Sequence, residues 1–177
     1  GRQTPGRYPF PADSYLLQNQ SAKGEISFVD ISSSAAPMLK EIGMVTDAVW
    51  ADINGDALAD LIIVGEWMTI NVLINQQGIL MDQTEEFRLT EETGWWSSIS
   101  VADFDKDGDM DLVAGNLGLN YKYKATSSEP FEIYTKDFDE SGNLDIVLGY
   151  YNEGDLFPLR GRECTSNQMP FVKQKFA

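Results

Sequence analysis

The stretch Asp103–Asp111 carries an acidic side chain at every second position, five aspartates in all. Closely spaced carboxylates repel one another and aspartate is a poor strand former, so this spacing is not typical of a strand. A hard divalent cation that takes about six to eight oxygen ligands would balance the charge, and Ca²⁺ is the usual such ion. Gly108 follows the third aspartate, where a tight metal-binding loop needs a residue free to adopt a positive φ.

The same pattern occurs in two further segments. We call residues 52–60 the first loop, 103–111 the second loop and 137–145 the third loop. Each has an oxygen-bearing side chain at its first, third, fifth and ninth places. Each is followed by a short apolar run that ends in glycine, at Gly65, Gly115 and Gly149. Three aligned copies predict a repeated loop-and-strand unit.

The composition excludes several classes of function. The chain has 177 residues and a net charge of −15, and three bound Ca²⁺ ions would leave about −9. This acidity argues against nucleic acid as a partner and against docking on an anionic membrane. The sequence has no histidine and a single cysteine, Cys164, which excludes a Ser-His-Asp triad, the usual His-ligated zinc sites and an intrachain disulfide. Its apolar runs are too short to span a bilayer, so we expect no membrane insertion.

Apolar periodicity predicts short antiparallel strands. The first full unit is expected to have four, over residues 48–51, 61–65, 70–74 and 79–81, which is the size of one β-propeller blade. A hairpin is predicted upstream over residues 15–17 and 26–29. The second unit is expected at 98–102, 112–115 and 121–124, and the third at 131–134 and 146–150. Residues 32–44 are expected to hold a short helix or an irregular loop, and residues 160–177 a short helix or a docking tail broken by Pro170.

We therefore predict an all-β fold of β-propeller-type blades, a partial propeller of about three blades within a single domain over residues 1–177. Its parts are an outer hairpin of a preceding blade (13–31), a blade (46–90), an abbreviated blade (97–128), an incomplete blade (131–151) and a docking tail (152–177). Closed propellers need at least about four blades. We therefore expect the remaining blades of a longer chain, or contacts in a homo-oligomer.

The loops resemble the FG-GAP repeat of integrin α subunits, also called the VCBS repeat. The resemblance implies that each loop joins the first two strands of a blade and holds Ca²⁺, with up to three ions in all. Five residues of each loop match the family's ligand positions: Asp52, Asn54, Asp56, Leu58 and Asp60; Asp103, Asp105, Asp107, Asp109 and Asp111; and Asp137, Asp139, Ser141, Asn143 and Asp145. The resemblance implies that Leu58, Asp109 and Asn143 act through their backbone carbonyls.

More of the chain is similar to a bacterial subgroup of surface proteins, the cartilage-acidic-protein-like (ASPIC/UnbV-associated) group. The segments that carry this similarity are PGRYPFPADSYLLQN, TDAVWADINGD, GEW, GWWSSI and AGNLGLN. Two departures stand out: Ala57 replaces glycine at the sixth place of the first loop, and Ser141 leaves the third loop one charge short. The twelfth places hold Ile63, Ala114 and Leu148 rather than glutamate, which argues against EF-hands.

Two aromatic residues offer an alternative function. Trp95 and Trp96 beside Gly94 would suit a platform for sugar rings, although large aromatics also fill the space between blades. A glycosidase would need two carboxyls set across a cleft, and the evident carboxylates lie in the loops, so we expect no enzyme.

The sequence as a whole predicts a calcium-stabilised, non-catalytic binding or adhesion module of a secreted or cell-surface protein. The alternative is a carbohydrate-binding or carbohydrate-processing module that uses Trp95 and Trp96. The expected partner is a protein or a glycan. Extracellular modules bind Ca²⁺ with Kd values of about 10⁻⁴–10⁻³ M, so we expect an extracellular, periplasmic or cell-surface location.

Overall fold

The computed structural model describes residues 1–175 and divides into two units, Gly1–Leu117 and Gly118–Ala177. Both units are built mainly from antiparallel strands, which confirms the all-β class. The predicted division of the chain into blades stays a prediction.

The first unit begins with a two-stranded antiparallel hairpin, as predicted. Strand β1 (Leu17–Asn19) pairs with β2 (Phe28–Asp30), and both are exposed along their length. A short helix α1 (Ser32–Ala35) and a 3-10 turn (Pro37–Leu39) follow. Residues 32–44 were expected to hold a short helix or an irregular loop, and they contain the short helix. Pro37 starts the 3-10 turn because its fixed φ suits a first helical position.

The predicted four-stranded unit is present. It comprises β3 (Met44–Ala51), β4 (Asp60–Met68), β5 (Asn71–Gln76) and β6 (Ile79–Asp82), each paired antiparallel with the next. The first two strands are longer than predicted. Strand β4 has alternating side chains buried on both faces, so it forms the centre of the unit.

A second strand pair joins this sheet. Strands β7 (Gly94–Ala102) and β8 (Asp111–Asn116) pair with each other, and the start of β7 also pairs with the end of β4 through Glu66 and Trp95. One apolar cluster lies around Leu61, Ile63 and Leu73, and a second around Ile62, Val72 and Ile99. The second cluster therefore ties β7 to the four-stranded unit.

The second unit is a three-stranded sheet followed by two helices. Its elements are β9 (Glu132–Lys136), β10 (Asp145–Asn152), β11 (Asp155–Pro158), α2 (Arg162–Gln168) and α3 (Phe171–Lys175). The two predicted strands are confirmed. Two helices lie on either side of Pro170, where one short helix or a docking tail broken by this proline was expected. Residues 176 and 177 of the predicted tail lie outside the described residues.

Two details of the second unit differ from the prediction. The strand expected over residues 121–124 is wrong, since this segment is irregular after a 3-10 turn at Gly118–Asn120. Tyr123 packs its ring 4.4 Å from that of Tyr150, so side-chain contact rather than backbone pairing holds it. Strand β11 was not predicted. It follows a tight turn with positive φ at Glu153 and Gly154, a geometry that suits antiparallel hairpins.

Candidate metal-binding loops

All three loops connect two adjacent antiparallel strands in the same way. At each loop, the residue just before the first aspartate pairs across the two strands with the ninth-place aspartate. In the first loop this pair is Ala51 with Asp60. The equivalent pairs are Ala102 with Asp111 and Lys136 with Asp145. The ninth aspartate of each loop is therefore the first residue of the outgoing strand, β4, β8 or β10.

The first aspartate of each loop accepts hydrogen bonds from the loop's own backbone. Asp52 Oδ1 accepts from the N–H groups of Gly55 (2.8 Å) and Asp56 (3.1 Å), and its Oδ2 accepts from Ala57 (2.8 Å). The second loop repeats this arrangement, with Lys106, Asp107 and Gly108 as donors to Asp103. The third loop has the fifth- and sixth-place donors, Ser141 and Gly142, to Asp137. The frame joins residues at most five apart, so the local sequence is enough to form it.

The ninth aspartate closes the loop from the other side. Asp60 Oδ2 accepts from the Ile53 N–H at 2.9 Å, and its Oδ1 accepts from the Asn75 N–H at 2.8 Å. Asp60 is fully buried, so these donors offset the cost of burying its charge. The corresponding bonds run from Phe104 to Asp111 and from Phe138 to Asp145, and Asp145 also accepts from Gln168 Nε2. Sequence reasoning missed Asn75 and Gln168, because both are distant in the chain.

Two of the loops bring three carboxylates together. Asp103, Asp105 and Asp111 each offer an oxygen within 4.8 Å of the others. The same holds for the group Asp137, Asp139 and Asp145. These oxygen donor sets fit a hard divalent cation and could hold a metal ion.

The remaining predicted ligands have different surroundings. Asn54, at the third place of the first loop, accepts from the Asp56 N–H at 3.0 Å. The fifth-place carboxylates Asp56 and Asp107 accept from the N–H groups of the seventh residues, Leu58 and Asp109. Metal ligation by any of the fifteen residues stays a prediction, including that by Ser141 and the carbonyl of Asn143.

Two aspartates of the second loop have pKa values that are shifted in opposite directions. The pKa of Asp109 is raised, first by its hydrogen bond with the Asp107 carboxyl and then by the negative charges of neighbouring loop aspartates. The pKa of Asp107 is lowered because the Asp109 N–H donates to its carboxylate. A cation bound in this loop would offset the negative charges that contribute to the raised pKa of Asp109.

Positive φ angles recur at the fourth and sixth places of every loop. The fourth places are Gly55 (78°), Lys106 (67°) and Glu140 (58°). The sixth places are Ala57 (67°), Gly108 (103°) and Gly142 (85°). Ala57 thus adopts the left-handed conformation that the other two loops give to glycine, and its Cβ makes this conformation costly.

Replacing Ala57 by glycine is expected to stabilise the protein. The left-handed conformation costs a non-glycine residue about 1–2 kcal/mol, while glycine loses about 0.4–1 kcal/mol through the entropy of the unfolded chain. We therefore expect A57G to raise the free energy of unfolding by up to about 1 kcal/mol, measured by urea denaturation. The reverse change, G108A at the equivalent place, is expected to lower it. Stabilisation by G108A would contradict this account of the loop.

Trp95 and Trp96 contact different neighbours. The Trp95 ring lies 5.2 Å from that of Trp67, whereas Trp96 donates from Nε1 to the Glu92 carbonyl and packs against the second apolar cluster. Successive residues of a strand point to opposite faces, which explains the separation. Trp96 therefore packs against apolar side chains, as the alternative to a sugar platform proposed. Trp95 lies beside Trp67 and not beside Trp96. Glycan binding by the pair stays a prediction.

A polar network lies next to Trp67 and was not predicted. Glu66 is buried, and its carboxylate pairs with the Arg2 guanidinium and accepts from the Tyr8 hydroxyl at 3.5 Å. The same hydroxyl accepts from Trp67 Nε1 at 2.8 Å. Burial raises the pKa of Tyr8. This network fixes the end of β4, where Trp67 has a φ of 58°.

Part of the chain matches a known family model. Residues 52–114 match the family model of the FG-GAP-like repeat, a span that contains the first and second loops and most of β8. No curated protein sequence matches the chain. Repeats of this family are typical of non-catalytic modules of the β-propeller type and of extracellular or surface proteins. The match confirms the predicted repeat, while the resemblance to the cartilage-acidic-protein-like group stays a prediction.

Proposed function

Because residues 52–114 form an FG-GAP-like repeat, we propose that the chain is a calcium-stabilised, non-catalytic binding or adhesion module of a secreted or cell-surface protein. The observation that carries this proposal is the repeated loop frame. In all three nine-residue loops the backbone N–H groups of the fifth and sixth residues donate to the first aspartate. Two of the loops also bring three carboxylates within 4.8 Å of one another.

The ions would act as structural cross-links. The side chains at the first, third, fifth and ninth places, with the seventh carbonyl, would hold Ca²⁺ in each loop. Because the first place follows the incoming strand and the ninth opens the outgoing strand, an ion bound to both would fix the two strands together. It would also neutralise carboxylates that otherwise repel one another.

Two aspartates of the first loop hold its backbone in place. The carboxylates of Asp52 and Asp60 accept backbone hydrogen bonds on both oxygens, which supports a structural role. In the part of the chain that the structure describes, no helix is long and apolar enough to cross a membrane.

The location and partners follow from the same chemistry. Low-affinity Ca²⁺ sites are filled where calcium is abundant, which supports an extracellular, periplasmic or cell-surface location. The net charge of −15 favours a protein or a glycan over nucleic acid as the ligand. Further propeller blades, from a longer chain or from other copies of this one, would complete the assembly.

Calorimetric titration tests the metal sites directly. Protein freed of metal by a chelator is expected to bind two or three Ca²⁺ ions, with Mg²⁺ binding more weakly because it requires a small octahedral shell. The variants D105N and D139N remove one charge from the second and the third loop respectively. Each is expected to weaken calcium binding by the loop that it changes. Absence of calcium binding by the folded wild-type protein would overturn the proposal.

A further inference from the structure

The first loop contains the sequence Asn54-Gly55, the only asparagine in the chain that precedes a glycine. Both residues are exposed, and the space around the Gly55 Cα on the side-chain side is open. A glycine after asparagine leaves its backbone nitrogen sterically accessible, because there is no Cβ to hinder approach of the asparagine side chain. The other asparagines precede bulkier residues and serve as internal references: Asn19, Asn71, Asn75, Asn116, Asn120, Asn143, Asn152 and Asn167.

We propose that Asn54 is a site of spontaneous deamidation, a slow covalent modification of the first loop. The backbone nitrogen of Gly55 attacks Cγ of Asn54, and a nitrogen–carbon bond forms as the bond from Cγ to Nδ2 breaks. The proton lost by the Gly55 nitrogen leaves with the departing amide nitrogen as ammonia. Water then opens the resulting cyclic imide, which yields aspartate or isoaspartate at position 54. Water is the only co-reactant.

Hydrogen bonds of the loop reach each of the atoms that take part in this step. The Gly55 N–H donates to the Asp52 carboxylate at 2.8 Å, so a base already lies at the proton that must be lost. The Asp56 N–H donates to Asn54 Oδ1 at 3.0 Å, where negative charge develops as Cγ becomes tetrahedral. Asn54 Nδ2, the leaving nitrogen, donates to Asp56 Oδ2 at 3.1 Å.

Conversion would change the third place of the first loop. The aspartate product gives this loop the same third-place residue as Asp105 and Asp139 and adds one negative charge. The isoaspartate product inserts an extra backbone atom and displaces the residues that hydrogen-bond to Asp52. The effect on calcium affinity, unlike deamidation itself, rests on the proposed function.

Peptide mapping by mass spectrometry tests the modification. Folded protein is incubated in a chelator at mildly alkaline pH, and each asparagine is followed for the mass gain of an amide-to-acid conversion. Asn54 is expected to convert at least about tenfold faster than any other asparagine, because only its successor lacks a Cβ. Conversion of Asn54 no faster than that of Asn116 or Asn143 would overturn the inference.

The other loops supply matched control variants. Lys106 and Glu140 occupy the place equivalent to Gly55 with φ values of 67° and 58°, so G55K and G55E suit the same backbone. Both are expected to slow conversion of Asn54 by about tenfold or more. Circular dichroism verifies that the variants fold. Unchanged conversion in folded G55K and G55E would contradict the role of Gly55.

Repeating the experiment in saturating Ca²⁺ distinguishes this inference from the proposed function. Saturating Ca²⁺ is expected to slow conversion of Asn54, because an ion ligated by its side chain would keep Cγ from the Gly55 nitrogen. Fast conversion that Ca²⁺ leaves unchanged would support deamidation and count against metal binding in the first loop. N54D, the aspartate product made directly, is expected to bind Ca²⁺ more tightly than wild type in calorimetry. Equal or weaker binding would count against the metal role alone.

Discussion

Removal of calcium is expected to lower the melting temperature by at least about 5 °C for each site that was saturated. An ion that binds only the folded state stabilises it by RT ln(1 + [L]/Kd), about 2.7 kcal/mol at about one hundred times Kd. For a chain of this size, 1 kcal/mol corresponds to a shift of about 2–4 °C. The measurement is thermal unfolding in a chelator, followed by a titration with Ca²⁺.

Two controls make the calcium effect specific. Mg²⁺ at equal concentration is expected to restore little of the stability, because it retains its water shell and requires octahedral geometry. The double variant D105N/D139N, which weakens the second and third loops, is expected to lose most of the calcium-dependent shift. A melting temperature that is equal in chelator and in saturating Ca²⁺ would mean that the loops are solvated turns.

The substitution D60A is expected to lower the free energy of unfolding by about 2–6 kcal/mol even without metal. Asp60 is fully buried and accepts hydrogen bonds from the backbone of Ile53 and of Asn75. Its truncation leaves two donors without their acceptor, and each unsatisfied buried donor costs about 1–3 kcal/mol. Urea denaturation in a chelator measures this loss apart from any contribution of bound calcium.

The matched control is D105A, at the third place of the second loop. Asp105 is exposed and accepts one backbone hydrogen bond, from Asp107. In a chelator we expect D105A to change stability by less than about 0.5 kcal/mol, whereas in calcium it removes a carboxylate ligand and lowers the melting temperature. Equal losses for D60A and D105A in a chelator would show that burial of Asp60 does not decide its effect.

Short-range features of the protein could be predicted from the sequence. The alternating aspartates predicted the loops, and the apolar runs behind them predicted the strands β4, β8 and β10. These predictions hold because the hydrogen bonds that the loop backbone donates to the first and ninth aspartates join residues at most seven apart, so their donors and acceptors lie in the same segment.

The sequence-based prediction was wrong or incomplete where long-range contacts or turn geometry determine the local structure. Alternating tyrosine and lysine over residues 121–124 favours a strand, but Tyr123 instead packs on Tyr150, from a strand that follows later in the chain. Strand β11 depends on the turn at Glu153 and Gly154, which follows the last predicted strand. The pairing of β4 with β7 joins segments about thirty residues apart, and periodicity carries no information about it.

The sequence by itself determined the repeated unit: three aspartate loops, each leading into an apolar strand, with backbone amides that converge on the first aspartate. The tertiary structure alone decided which distant groups complete that unit. It placed Asn75 on Asp60, Gln168 on Asp145 and Trp67 beside Trp95. The physical reason is the range of the interactions. A hydrogen bond within one loop depends on local residue order, whereas these contacts form only after separate strands and helices have packed together.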